Sequence, residues 1–447
     1  MKSFLKRRLD PESRRLFRNS AWVFFSNMFS TGLAFVRSVV IARGLGAGIF
    51  GTFTMVTAFV GLIQEFLNLN IGTALIRQGA IFHAEQRNDK LVALVKVSLW
   101  LSAAMAALSV VVVAGLAFFS YSTFFELPDL HWFIVAYAVA ASVTYLNSIS
   151  RGLLRLYYKF RATSVIQMIM DVVETISITV AVLVYPKDLR IFFFAVIVAR
   201  FLNGFIINAL AFWELRRELG PNWNLSVRLT RQELAEFRKF VLGNSIGNSL
   251  KTMINQGDVL LLGALSSAVQ VGFYSVSKKL AYSVLILTDP LVSSIYPQLS
   301  KLLAERKFAE TRRMLFRITS ITVLPAILFL TAMAFLNRWV IVTLYGAEYA
   351  PAAASFFYFL IASVVGVMTF WSIPLIQSLG LVGLRIKVYV VTLLGGSLLA
   401  WWLIGQWQAT GMAIALLSTN LFSLAYFLWA ADRKIRSQES ESASLQL

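Results

Sequence analysis

The sequence predicts an all-α membrane protein of about twelve transmembrane helices, arranged as two six-helix lobes around a central cavity. Of the 447 residues, 58% are hydrophobic and only 14% are charged, and the mean hydropathy is +0.71. Soluble domains carry about 25% charged residues, so this chain has too few charges to cover a water-exposed surface. Apolar segments long enough to cross a bilayer also recur along the whole chain, which excludes a soluble protein with a single anchor.

Each predicted helix is an apolar segment flanked by polar or basic residues. The predicted helices cover residues 20–42, 50–76, 91–120, 131–153, 164–185, 190–213, 240–264, 274–297, 313–336, 351–377, 388–405 and 410–431. Their even number places both termini on the same side of the membrane.

The number of basic residues alternates between high and low in successive loops, which supports this helix count. About 31 of the 41 Lys and Arg residues lie in the N-terminal segment, in every second loop and in the C-terminal tail, and about four lie in the remaining loops. The positive-inside rule therefore predicts a multi-pass protein of the cell inner membrane with both termini in the cytoplasm. The formal net charge of +19 is explained by this asymmetry and needs no nucleic-acid partner.

A long polar loop divides the predicted domains. We expect a basic N-terminal segment, an N-lobe of helices 1–6, an inter-lobe loop, a C-lobe of helices 7–12 and a tail, at residues 1–19, 20–213, 214–239, 240–431 and 432–447. A shift of 221 positions superimposes Gly51 on Gly272 and Arg37 on Asp258. Because each half holds six helices, the two halves form a parallel repeat about an axis along the membrane normal.

Polar side chains inside the predicted helices mark functional positions, because ionisable groups in a bilayer usually face a cavity or a partner. Helix 7 carries the longest polar stripe, with a 4-3-4-3 spacing that places all its members on one helix face. Shorter stripes lie on helices 1, 2, 5, 6 and 8. The helix 7 stripe consists of Asn244, Asn248, Lys251, Asn255 and Asp258.

Several of these polar groups have alternative interpretations. Arg37 and Asp258 occupy equivalent positions, so they either form a structural ion pair or contact substrate or protons. Asp171 and Glu174 lie one turn apart, where their mutual repulsion favours protonation of one carboxylate and suits proton coupling. The alternative is that the two carboxylates are satisfied structurally, by Arg200 or by an inward-facing loop.

Residues near the predicted helix ends have structural alternatives as well. Arg43, Lys278 and Lys279 lie near the outer ends, where their side chains can extend to the lipid headgroups. Asp289 precedes Pro290 and can instead stabilise a helix break.

Enzyme chemistry is not indicated. The chain has no cysteine and only two histidines, so it offers neither thiolate ligands nor a multi-histidine metal site, and we expect no metal and no cofactor. Walker A, G-x-S-x-G and H-E-x-x-H motifs are absent from the sequence. The predicted outer loops are short and carry few groups able to act in catalysis.

Five motifs resemble those of bacterial polysaccharide flippases, in the same order along the chain. IARGLGAGIFGTF (41–53) resembles the family pattern ARxLGxxxFGxY, and NIGTALIR (70–77) resembles lGlxxAliR. VGFYSVSKKL (271–280), YPQLSK (296–301) and LYGAEY (344–349) resemble vGxYsxaxkl, fPxlsk and lyGxxY. Each motif is loose alone, but the ordered set is specific for the Wzx-type lipid-linked oligosaccharide flippases, whose superfamily includes multidrug extruders and the lipid II flippase.

This resemblance implies a two-lobe fold that moves an undecaprenyl-diphosphate-linked oligosaccharide from the cytoplasmic to the periplasmic leaflet by alternating access. A diphosphate needs cationic partners, for which we expect Arg37, Lys251 and Arg200. Coupling to H⁺ or Na⁺ would involve Asp258, Asp171 or Glu174. Expected glycan contacts are polar or aromatic: Asn27, Gln64, Tyr145, Gln167, Asn248, Asn255, Tyr282 and Trp371.

The expected partners are the lipid-linked oligosaccharide, the bilayer, and the polymerase and chain-length proteins of surface polysaccharide synthesis. Three other functions compete with this interpretation. A cation-coupled drug extruder of the same fold would favour an acidic, apolar cavity. A glycan ligase or polymerase would need long periplasmic loops. A passive scaffold would not explain the interior polar stripes.

Overall fold

The computed structural model describes residues 11–119, 130–185, 188–219 and 229–444, and every regular element in these ranges is helical. The all-α class predicted from composition is therefore confirmed. The helices are α1 (Pro11–Leu67), α2 (Ile71–Ala84), α3 (Asn88–Phe119), α4 (Leu130–Leu156), α5 (Phe160–Val184), α6 (Leu189–Leu219), α7 (Arg231–Leu265), α8 (Ala268–Tyr282), α9 (Asp289–Ala304), α10 (Phe308–Tyr345), α11 (Ala352–Met368), α12 (Ser372–Ser378) and α13 (Val382–Ser444). Short 3₁₀ turns cover Ser283–Thr288 and Ala347–Tyr349.

Seven of the described helices are long and apolar enough to cross a membrane, or eight if the bent pair α11 and α12 counts as one span. Two of them are interrupted by a non-helical residue, α1 at Gly46 and α13 at Gln408, and each is long enough for two predicted spans. Large apolar side chains such as Trp100 and Phe335 are 79% and 84% exposed, as expected where lipid is the solvent. The chain is therefore a multi-pass membrane protein.

Three predicted helices are broken where the sequence analysis drew one continuous span. Predicted helix 2 (50–76) ends at Leu67 and resumes as α2 after Asn70, which has a left-handed φ of 47°. Predicted helix 8 (274–297) divides into α8, a 3₁₀ turn and α9, with a proline in the first turn of α9. Proline is tolerated there because the first helical N–H groups need no acceptor, so of the two interpretations of Asp289 the structure agrees with a helix break at this point. The third break lies between α11 and α12, which meet at 47°.

The predicted inter-lobe loop is shorter than expected. Residues 214–219 continue α6, and residues 231–239 form the first turns of α7. Both segments consist largely of Glu, Leu, Arg, Lys, Gln and Ala, which are strong helix formers, so the helices extend past their apolar parts.

The internal repeat is visible in the helix boundaries. The first-half helices α2, α3 and α5 begin at residues 71, 88 and 160, and α9, α10 and α13 begin at 289, 308 and 382, which separates the pairs by 218, 220 and 222 positions. The spacing of the helices is therefore similar in the two halves, although few residue identities are shared. This agrees with the predicted parallel repeat.

The described chain divides into two compact units. Unit 1 contains Met1–Gly44 and Val56–Gly257, and unit 2 contains Leu45–Met55 and Asp258–Leu447. Unit 1 has an apolar core formed by α2, α3, α4 and the start of α7, and includes Leu75, Leu91 and Ile149. The core of unit 2 includes Leu299, Leu375 and Phe427.

Within unit 2, repeat-related glycines meet at a close backbone contact. A Cβ atom on Gly51 would lie 1.7 Å from the carbonyl oxygen of Ala268, and one on Gly272 would lie 2.3 Å from that of Ala47. Positions 47 and 51 correspond to 268 and 272 under the 221-residue shift, so the contact has local two-fold pseudo-symmetry. Only glycine fits at both positions, because any side chain would overlap the backbone of the other helix.

An earlier glycine of the same motif, Gly46, has a different role. Gly46 adopts a φ of 81°, which L-residues rarely adopt, and this interrupts α1. Glu348 then accepts a hydrogen bond from the backbone N–H of Ala47 at 2.9 Å, satisfying one donor at the start of the next helical segment. Two of the flippase-like motifs, 41–53 and 344–349, therefore contact each other.

Candidate functional site

An ion pair lies inside the helices of unit 1. Arg37 of α1 places Nη1 2.7 Å from Oε2 of Glu174 of α5, and both side chains are 16% exposed. The contact lacks hydrogen-bond geometry, so the buried Nη1 atom of Arg37 has no hydrogen-bond acceptor among the described residues. The guanidinium therefore retains donors for a further anion while Glu174 offsets part of the cost of its burial.

A chain of polar side chains continues from this pair. Asp171, one turn before Glu174, is 6% exposed and accepts hydrogen bonds from the Ser30 hydroxyl and, at 2.9 Å, from Nε2 of Gln167. Gln167 in turn accepts a hydrogen bond from Arg151 at 2.7 Å. The expected shared face of Gln167, Asp171 and Glu174 is therefore present, and it faces polar groups of α1 and α4.

Arg200 lies near the same cluster but does not neutralise the two carboxylates. Its guanidinium stacks on the ring of Tyr137 at 4.8 Å, and Tyr137 is within electrostatic reach of Arg37 and Glu174. The Nε atom of Arg200 is buried and has no hydrogen-bond partner in the described part of the chain. Buried polar atoms are normally satisfied by protein or water, so this N–H group is available to a solvent molecule or a ligand.

Unit 2 contains a second buried charge cluster. Asp258 of α7 has a side chain that is 2% exposed, and it forms an ion pair with Lys278 of α8. Tyr274, which is fully buried, donates its hydroxyl proton to the same carboxylate oxygen. The backbone N–H of Val259 donates to the other oxygen at 2.8 Å. Both carboxylate oxygens of Asp258 therefore have partners within its own unit.

This cluster bears on two interpretations from the sequence. Lys278 does not extend to the headgroups, because its ammonium group contacts Asp258. Within their own units Arg37 contacts Glu174 and Asp258 contacts Lys278, so each already has an ion-pair partner. Equivalent positions in a repeat carry the same backbone geometry, but they do not have to contact each other.

Tyr282 lies one helical turn beyond Lys278, where its ring packs edge-on against Phe359 at 5.6 Å. Its side chain is partly exposed. Asn27 of α1 has an exposed side chain, and only its backbone carbonyl has a described hydrogen bond, from Thr31. Both residues remain accessible to a ligand.

Three expected glycan contacts have structural roles instead. Gln64 donates to the carbonyl of Ala138 at 3.1 Å, and Tyr145 donates to the carbonyl of Gln64 at 2.7 Å, so the two side chains tie α1 to α4. Trp371 donates to the Thr319 hydroxyl at 2.9 Å within the core of unit 2. Gln64, Tyr145 and Trp371 are 9%, 3% and 8% exposed, so packing leaves little of them for a glycan.

The side chains of Asn248, Lys251 and Asn255 lie outside the described part of the structure, as does that of Asn244. The helix 7 polar stripe therefore remains a prediction except at Asp258.

Arg151, Tyr137 and Tyr274 were not among the predicted site residues. Arg151 lies near the end of the predicted helix 131–153, which the structure extends to Leu156. The run of Leu and Arg after Gly152 is helix-forming and would have extended the prediction. Tyr274 and Lys278 are four residues apart and therefore share a helix face, which could have identified them as partners of a buried acid.

Comparisons with known proteins agree with this architecture. The structure resembles the inward-facing conformation of a multidrug resistance MATE family transporter of the MOP superfamily, with a TM-score of 0.70, 12% identity and coverage of 92% of this chain and 96% of that one. It also resembles the lipid II flippase MurJ in its inward closed conformation, with a TM-score of 0.66, 14% identity and coverage of 92% and 89%. The Vibrio cholerae MATE transporter VcmN in its bent form gives a TM-score of 0.52, 13% identity and coverage of 95% and 97%.

At these identities the structural matches establish the fold alone. A search of curated protein sequences gives no significant match. The family model described as "Polysaccharide biosynthesis protein" matches residues 16–303, which is more than half of the chain. The expected relationship to a polysaccharide biosynthesis family is therefore confirmed, and the chain belongs to the polysaccharide biosynthesis protein family.

Proposed function

We propose that this protein is a flippase that translocates an undecaprenyl-diphosphate-linked oligosaccharide from the cytoplasmic to the periplasmic leaflet for surface polysaccharide synthesis. The observation that carries the proposal is Arg37, a buried cation paired with Glu174 whose Nη1 has no hydrogen-bond acceptor among the described residues, in a member of a polysaccharide biosynthesis family. An embedded cation with free donors suits a diphosphate, since charge-assisted hydrogen bonds to phosphate oxygens are strong.

The surrounding groups support this chemistry. Arg200 supplies a second guanidinium nearby, and Lys251 is a further proposed phosphate contact on α7. Asn27, Gln167, Tyr282, Asn248 and Asn255 are the remaining proposed glycan contacts. Glu174 prevents Arg37 from being an isolated charge in the absence of substrate, and an arriving diphosphate would compete with it for the guanidinium.

We propose alternating access coupled to H⁺ or Na⁺, with Glu174, Asp171 and Asp258 as the groups that could respond to the ion. Glu174 is the strongest of the three for coupling to substrate. Protonation of its carboxylate would release Arg37 for the diphosphate, so ion binding and substrate binding would be linked through one residue.

The proposed location is the cell inner membrane, with both termini in the cytoplasm and with polysaccharide polymerase and chain-length proteins as partners. The basic residues concentrated in alternate loops support this orientation. The drug-extruder alternative is less favoured, because the family match is to polysaccharide biosynthesis and the embedded cluster of unit 1 is rich in arginine.

The test is complementation of a deletion strain, with surface polysaccharide and accumulated lipid-linked oligosaccharide as readouts. Arg37→Ala is expected to reduce export at least tenfold, and Arg37→Lys to retain part of it, because lysine keeps the charge but loses the planar set of donors. Arg43→Ala is the matched control, since Arg43 lies on the same helix with an exposed side chain and should support normal export.

Lys251→Ala is tested in parallel. Full export by both Arg37→Ala and Lys251→Ala, at normal protein levels, would contradict the proposed phosphate site. Loss of resistance to cationic drugs on deletion, with surface polysaccharide unchanged, would instead support the extruder.

A further inference from the structure

A charged cleft lies in unit 1, apart from the embedded ion pair. It has a volume of about 590 Å³ and is formed by the second half of α2 and the first turns of α7. Residues that line it include Arg77, Gln78, Glu236, Phe237, Lys239 and Phe240. Arg77 closes one of the flippase-like motifs, yet it has no part in the proposed transport site.

Among the described residues, the cations of this cleft have no anionic partner. The guanidinium of Arg77 stacks on the ring of Phe240 at 4.7 Å. The ring covers one face of the guanidinium, whereas the N–H groups point outward in the guanidinium plane and are not covered by the ring. Neither Arg77 nor Lys239 forms an ion pair with any residue in the described ranges. Glu236 is the one carboxylate among the lining residues, so the cleft carries a net charge of about +1.

Two cations next to the cleft, Arg87 and Lys90, differ from those inside it because they have a carboxylate partner. Glu233, one turn before Phe237, contacts Arg87 at 2.9 Å and Lys90 at 3.1 Å and so neutralises the start of α3. Gln78 donates to the backbone carbonyl of Glu233 at 3.1 Å, which ties the two walls of the cleft together. The two walls of the cleft are therefore held together, while Arg77 and Lys239 remain available to a ligand.

Its surroundings place the cleft at the edge of the bilayer. The opposite face of α2 is packed in the core through residues such as Leu75 and Phe82, and the apolar span α3 begins only a few residues after α2 ends. Ile81, one turn beyond Arg77, is 51% exposed, and Leu234 on α7 is 45% exposed. Exposed apolar groups beside exposed cations are typical of a helix at the lipid headgroup level.

We propose that this cleft binds the phosphodiester headgroup of an anionic phospholipid of the cytoplasmic leaflet. Basic pockets between membrane helices on that side bind anionic lipid headgroups, and a guanidinium fork matches phosphate oxygens. The net charge of +1 matches one phosphodiester, which carries a single negative charge, better than the more highly charged diphosphate of the transport substrate. The proposal depends on the membrane orientation proposed above but not on transport.

A lipid in this position would contact α2 and α7 together. The break after Leu67 separates α2 from α1, so α2 is held by its packing rather than by helix continuity. Binding to the folded state alone stabilises a protein by mass action, so a lipid bound here should raise the thermal stability of the whole chain.

The test uses purified full-length protein titrated with dioleoylphosphatidylglycerol and, separately, with dioleoylphosphatidylethanolamine, with bound lipid measured by native mass spectrometry. We expect phosphatidylglycerol to bind at least tenfold more tightly. Arg77→Gln with Lys239→Gln should weaken its binding about tenfold or more, because two cations near the surface are removed. Arg231→Gln with Arg238→Gln is the matched control, since it removes the same charge from α7 outside the cleft and should change binding less than twofold.

Two further variants exclude misfolding as an explanation. Arg77→Lys with Lys239→Arg keeps the charge and should stay within threefold of the parent protein. Glu236→Gln raises the cleft to about +2 and should tighten binding about threefold, a gain that a damaged protein cannot produce.

The proposal is overturned if phosphatidylglycerol binds no better than phosphatidylethanolamine, or if the control pair loses as much affinity as the cleft pair. It is also overturned if undecaprenyl diphosphate displaces phosphatidylglycerol and binds more tightly through the same two cations, since the cleft would then be a substrate site. Lipid binding is measured without transport, so a failure here leaves the proposed flippase function untouched.

Discussion

Replacing Lys278 by Met removes the cation that neutralises Asp258. The carboxylate is 2% exposed and would keep only the Tyr274 hydroxyl and the Val259 N–H as donors. Breaking a buried ion pair by removing one partner costs about 3–5 kcal/mol, and the two remaining donors place this case near 3 kcal/mol. Asp258→Asn should cost about 2 kcal/mol, because the stranded Lys278 is 19% exposed and can reach toward polar surroundings.

The double variant decides whether the two residues act as a pair. It strands neither charge, so we expect it to cost about 2 kcal/mol, well below the sum of the single variants. Unit 2 has about 200 residues, for which 1 kcal/mol corresponds to roughly 2–4 °C in the midpoint of thermal unfolding. Lys278→Met should therefore lower the midpoint by about 6–12 °C and the double variant by about 4–8 °C.

The assay is thermal unfolding in detergent, followed by fluorescence-detected size-exclusion chromatography. Lys279→Met is the matched control, because Lys279 is the exposed neighbour and its change should shift the midpoint by no more than 2 °C. Additive effects of the two single variants would refute the reasoning, since independent residues cannot share a neutralising interaction.

Three other predictions follow from described contacts. Gly51→Ala should destabilise the protein by about 2–3 kcal/mol, because its Cβ would lie 1.7 Å from a carbonyl oxygen. Gly115→Ala is the control, since its Cβ meets no atom within 4 Å and the change should be neutral or slightly stabilising. Equal thermal unfolding midpoints of the two variants would contradict the close contact at Gly51. Burial opposes the charge of Glu233, but hydrogen bonds from Thr230 and the Lys90 ammonium outweigh it and lower the pKa of Glu233 from 4.5 to about 2. The stability that Glu233 contributes should therefore be present above pH 4.5 and lost as the pH falls toward 2. Glu233→Gln should cost about 1–2 kcal/mol of unfolding free energy at pH 7, and the variant and the parent protein should become equally stable near pH 2. A difference in unfolding free energy that does not change with pH would count against the pKa shift. Trp371→Phe should lower stability by about 1 kcal/mol through the lost indole hydrogen bond while export in the complementation assay stays normal, and a large export defect at normal protein levels would restore Trp371 as a glycan contact.

The sequence by itself determined the class of this protein. A bilayer admits helices because every backbone polar group must be satisfied within its own segment, so long apolar runs specify helices and basic loops predict their orientation. The period of the repeat was also predictable, since it is encoded in the spacing of loops and glycines such as Gly51 and Gly272. The polar face of α5 followed from the 3.6-residue period alone, which placed Gln167, Asp171 and Glu174 together.

Only the tertiary structure decided which charges meet. Helical periodicity shows which side of its own helix a residue occupies, but ion pairs such as Arg37–Glu174 and Asp258–Lys278 depend on how different helices are packed and rotated. The same limit explains Trp371, because an aromatic side chain that fills a core and one that lines a cavity look alike in sequence. Lipid favours any apolar surface equally, so the final rotation of each helix is selected by close packing and by the pairing of its few polar groups, which the linear sequence does not display.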